Sequence, residues 1–142
     1  MRIREPYKEA SIETLRRRMA YVRGEHKLWI EMADWELRES SRRTFHSEQR
    51  RHQLRKAARA LQGQCLTSVS IGTRPLRTTF YFDHGSELLV VRYKRANPTW
   101  ALWHFYTRRT LLALLSSGRL CHSSSRMKGT RLYDARGVNI VV

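Results

Sequence analysis

Residues 77–106, RTTFYFDHGSELLVVRYKRANPTWALWHFY, carry the clearest folding signal in the chain. Period-2 runs broken by turn residues predict three consecutive antiparallel strands here. The first turn, Asp83 to Ser86, contains Gly85, which supplies the positive φ of a tight hairpin. The second contains Asn97-Pro98, which ends one strand and starts the next. With His84-Gly85 as a two-residue loop, Phe80 faces Leu89 and Thr78 faces Val91. Phe82, Phe80, Leu89, Val91 and Tyr93 then share the core face. On the other face this register sets Arg77 directly across from Arg92, with Lys94 two residues on. Like charges across a ladder disfavour pairing, so either water or an anion such as phosphate must compensate there.

Around this stretch, Leu66, Val69 and Ile71 alternate with polar residues and predict a further strand. Thr107 caps a short helix through Leu115, whose LLALL run is apolar on most sides, and Gly118 stops it. Cys121 to Gly129 reads as a loop. A turn at Asp134 to Gly137 then leads into a last strand over 138–142 that completes the sheet.

Toward the N-terminus, Ile12, Leu15, Met19 and Val22 recur at helical spacing, with Ser11 as N-cap, Gly24 as stop and Arg16, Arg17 and Arg18 on the opposite face. The acidic segment 25–39 predicts a second helix striped by Leu28, Met32 and Trp35. After a break at 40–44, Ser47 caps a third helix in which Leu54, Ala57, Ala58 and Leu61 form an apolar arc and Gly63 ends it. Its opposite arc carries Arg51, Arg55, Lys56 and Arg59 with His52, and no acid. The expected architecture is α+β and a single domain over 1–142. Helices in the basic part, 1–63, pack on a mostly antiparallel sheet of about five strands in 64–142, with one short helix before the last strand.

The chain has 142 residues, enough to bury a core without disulfides or metal, and its apolar fraction of 41% is ordinary for a globular protein. Cys65 and Cys121 lie in no redox or zinc motif and are expected as free thiols in a reducing cytoplasm. No apolar run approaches the roughly 20 residues of a membrane span, and the N-terminus lacks a signal-peptide core. The net charge is +16, and the 28 basic residues divide into 23 Arg and 5 Lys. Arg forks onto phosphate and stacks on bases in ways that Lys does not.

The sequence points to no cofactor and no metal. His46 and His52 are out of phase on a helix, Cys121-His122 lacks a second ligand pair, and there is no P-loop, GxSxG or HExxH. Three functional classes follow. The first is a non-enzymatic nucleic-acid or nucleoprotein binder that contacts phosphates through Arg51, Arg55, Lys56 and Arg59 on the third helix and Arg77, Arg92 and Lys94 on the sheet. The second is a phage-type or mobile-element inhibitor that binds a nucleic-acid-processing protein through its basic surface. The third is a metal-free ribonuclease built from His104, Glu87, Arg92 and Tyr106. Alternation sends Trp103 and Phe105 to one face of their strand and Trp100, His104 and Tyr106 to the other. One face is core, and the other either shows aromatics beside Arg77 and Arg92, as suits single-stranded nucleic acid, or is buried by helices. Helix-turn-helix, RNP, KH and zinc-finger patterns are not visible in the sequence.

Overall fold

A computed structural model describes residues 2–3, 27–135 and 138–141. The α+β expectation is overturned, because the described residues form two sheets with one helix. The strands are β1 (Arg2–Ile3), β2 (Lys27–Ile30), β3 (Ala33–Arg38), β4 (Thr44–His46), β5 (Leu66–Thr73) and β6 (Leu76–Phe82). They continue with β7 (Glu87–Arg92), β8 (Ala101–Tyr106), β9 (Thr110–Leu115), β10 (Arg119–Ser124), β11 (Arg131–Asp134) and β12 (Asn139–Val141). Helix α1 spans Arg51–Ala60.

Sheet A has the order β1-β2-β8-β9-β10-β11 and sheet B the order β12-β5-β6-β7-β3-β4. Every pairing is antiparallel except that of β1 with β2. The inner faces of the two sheets meet in one core cluster. Phe80, Leu88 and Val90 come to it from sheet B, and Leu28, Trp103 and Leu114 from sheet A, all essentially buried. The Trp103 indole N–H crosses between the sheets and donates to Thr78 Oγ1 at 2.8 Å, while its ring meets Phe80 edge-on at a centroid distance of 5.4 Å. A buried indole retains its hydrogen bond this way, at a position where an unpartnered N–H is costly.

The segment 25–39, expected as a helix, is instead β2 and β3 from Lys27 onward. Leu28 and Ile30 alternate inward in sheet A, and Ala33, Trp35 and Leu37 alternate inward in sheet B. Their spacing satisfies a helical stripe and a strand alternation equally, and the tertiary pairing selects the strand. The expected helix over 107–115 is β9: Leu114 and Leu112 pair with Trp103 and Phe105 on the inner face, and Leu111 and Ala113 with Tyr106 and His104 on the outer. The expected loop over 121–129 is strand β10 as far as Ser124, paired on both sides. The predicted first helix, from Ser11 to Gly24, lies outside the described residues, as do Arg136 and Gly137 of the predicted last turn.

The central hairpin forms in a register one residue away from the expected one. Arg77 pairs with Val91, Thr78 with Val90 and Phe80 with Leu88. The loop is Asp83 to Gly85, closed by Phe82 N–H to Ser86 O and Gly85 N–H to Phe82 O, both at 3.0 Å, with Gly85 at φ 81. Three-residue hairpin loops commonly place a glycine at that left-handed position. Neighbouring chain fixes the choice, since Asp83 exchanges bonds with Cys65 through its own N–H (3.0 Å) and its carboxylate (2.9 Å). The core face of β7 is therefore Leu88 and Val90, while Leu89 and Val91 face outward, the reverse of the expectation.

Candidate nucleic-acid interface

Helix α1 follows β4, packs beside it, and sends Ala57 and Leu61 into the core cluster. The expected N-cap at Ser47 is overturned: the helix begins at Arg51, with Arg50 at the cap and no side-chain capping bond. The Ser47 hydroxyl is engaged elsewhere, donating to Asp34 Oδ1 at 3.2 Å. Opposite the buried arc, Arg51, Arg55, Lys56 and Arg59 are all exposed, and Arg50 joins them at the N-terminal end. Residues 51, 55 and 59 are one turn apart, about 6 Å in rise per step. Among the described residues, Arg51, Lys56 and Arg59 take part in no ion pair. In contrast, Arg38 and Arg43, which precede the helix in the chain, are paired with Glu36 and Glu39.

The N-terminus of α1 is not built for stability. Its first turn holds no acid, and Arg50 and Arg51 stand at the positive end of the helix dipole. Arg50→Asp supplies both a cap acceptor and the preferred charge, and is expected to raise stability by about 1 kcal/mol in a urea melt. A fall in stability would show that the Arg50 side chain holds the turn from Ser47 to Arg50 in place.

The sheet residues predicted for the same interface are dispersed. The corrected register places Arg77 on the outer face of sheet B, with its side chain across Gly72: a Cβ on that glycine would meet Arg77 Nε at 3.4 Å. Strands β7 and β3 separate it from β4 and α1 in the sheet order. Arg92 belongs to the opposite, inner parity of β7, and its Nη1 donates to the Ser116 carbonyl at 2.9 Å. The like-charge pair of Arg77 and Arg92 does not form, and the case for an anion between them lapses. Lys94 is exposed in the turn that follows β7.

The ribonuclease set is dispersed as well. His104 and Tyr106 share the outer face of sheet A, with ring centroids 5.9 Å apart, while Glu87 and Arg92 lie on sheet B. The partner that sequence reasoning missed is Glu31, assigned there to a helix, whose Oε2 lies 3.5 Å from His104 Nδ1. Burial pushes the His104 imidazole below its usual range, against the pull of Glu31, and both burial and Glu31 push the Tyr106 phenol up. Trp29 completes a row of rings, 5.7 Å from His104.

No group of three or more His, Cys, Asp or Glu among the described residues is arranged to hold a metal ion. Cys65 and Cys121 are free thiols, and no helix among the described residues is long and apolar enough to cross a membrane. No protein-family model, curated protein or solved structure matches the chain.

Proposed function

We propose that the protein binds nucleic acid without chemistry, through phosphate contacts made by the exposed face of α1. The observation that carries this reading is the arc of Arg51, Arg55, Lys56 and Arg59, exposed on a helix that contains no Asp or Glu and that the core anchors from behind. A solvated helix face needs charge for solubility, but it does not need charge of one sign. The placement of Arg50 and Arg51 against the helix dipole supports the same reading, because an anion at that end turns a cost into an attraction. Contacts of this kind give affinity and strong salt dependence with little sequence preference.

Changing Arg51, Lys56 and Arg59 together to Gln tests it. These three are exposed and outside any ion pair among the described residues, so the variant is expected to fold normally. Its slope of log affinity against log salt should be flatter by roughly 3, at about 0.9 for each duplex phosphate that is no longer neutralised. A normally folded variant with an unchanged slope removes α1 from the interface.

A further inference from the structure

We propose that residues 93–100, the crossover from β7 in sheet B to β8 in sheet A, form a stacking platform for unpaired nucleotides, so that the ligand is single-stranded. The inference rests on the α1 reading for the nature of the partner and adds its strandedness.

Two exposed aromatic side chains stand at the ends of this crossover, Tyr93 at 37% and Trp100 at 40% exposure. Lys94 and Arg95 are exposed beside Tyr93. A connecting loop gains nothing for its own fold by leaving more than a third of a tryptophan and of a tyrosine open to water. The two rings offer flat faces for bases, and Lys94 and Arg95 beside Tyr93 offer charge for the backbone that joins them. Bases inside a duplex are already stacked and present only their edges, so this combination favours unpaired strands.

The loop is also fixed in shape. Ala96 N–H donates to Tyr93 O at 3.3 Å, Trp100 N–H to Asn97 O at 3.0 Å, and Thr99 N–H to Asn97 Oδ1 at 3.0 Å. The neighbouring turn between β9 and β10 clamps it from the side. Ser116 N–H donates to Trp100 O at 2.7 Å, Ser117 N–H to Pro98 O at 3.2 Å, and the Ser116 hydroxyl to Asn97 O. Arg92 closes the clamp through the Ser116 carbonyl at 2.9 Å. A platform ordered in advance avoids the entropy of ordering it upon binding. The crossover and the strands that follow it are basic in sequence, with no Asp or Glu from Leu88 to Tyr133 and nine Arg or Lys in the same span. The nearest acids, Glu31 and Asp34, come from the β2–β3 turn that borders its ends.

The test compares oligo(dT), oligo(U) and a duplex of equal length by fluorescence anisotropy, with wild type, the Tyr93→Ala/Trp100→Ala double variant and Tyr93→Phe/Trp100→Phe. The alanine variant is expected to lose single-strand affinity by roughly tenfold or more for each stack removed, with duplex binding changed by less than about twofold. The phenylalanine variant should recover most of the loss. The ratio of oligo(U) to oligo(dT) affinity identifies RNA or DNA as the preferred strand. Unchanged single-strand affinity in the alanine variant overturns the platform and leaves the α1 reading standing. An equal fall on both substrates, without rescue by phenylalanine, overturns it too. Wild type that binds none of the three at low salt overturns both readings.

Discussion

Trp103→Ala is expected to lower the unfolding free energy by about 3–5 kcal/mol, the cost of deleting a fully buried large aromatic from a core that cannot close around the gap. The residue is 1% exposed, packs edge-on against Phe80 and holds the hydrogen bond that joins the sheets. Thr78→Val separates the two contributions. It keeps the shape of the threonine but strands the indole N–H in an apolar interior, at a cost of about 1–3 kcal/mol. Urea unfolding followed by far-UV circular dichroism measures both. A loss below about 1 kcal/mol for Trp103→Ala would mean that the sheets do not face each other through this residue.

The second large effect concerns the hairpin register. Leu88→Asp places a carboxylate opposite Phe80 on the inner face, where neither partner nor water is at hand, and is expected to cost several kcal/mol, enough to unfold a marginal domain. Leu89→Asp places the same carboxylate opposite Thr79 on the outer face of sheet B and should cost less than about 1 kcal/mol. The two-residue loop expected from the sequence exchanges these outcomes. Melting temperatures of the two variants, measured side by side, decide the register directly.

The hairpin shows why the sequence yields a strand pair more readily than its alignment. β7 reads ELLVVR, apolar in both parities, so it carries no preference for which side faces the core. The turn residues DHGS fit loops of two or three residues equally well. The deciding contacts, Asp83 with Cys65 and Ser86 with Gln64, come from residues that only the folded chain brings near. The same ambiguity makes LLALL of β9 read as a helix, because a strand with apolar residues on both faces loses its period. In the acidic segment, the turn at Glu31 and Met32 shifts the strand alternation just where a helical stripe accommodates the shift. α1 was legible because its two arcs differ in everything: small and apolar against long and cationic. The arc of the candidate interface on α1 follows from spacing within one element and could be read. Pairing of Arg77 with Arg92 depended on the register, and it failed when the register moved by one.

The order of the strands has a consequence for how the chain can be divided. β3 to β7 are contiguous in sequence and build most of sheet B, and β8 to β11 are contiguous and build most of sheet A. Three strands break that division: β1 and β2 precede β3 yet belong to sheet A, where β2 pairs with β8, and β12 follows β11 yet pairs with β5. Each half thus carries a strand that completes the sheet of the other. A nick within residues 93–100 would leave two fragments clasped like hooked fingers rather than two separable sheets, and neither could leave without first breaking a ladder that belongs to its neighbour.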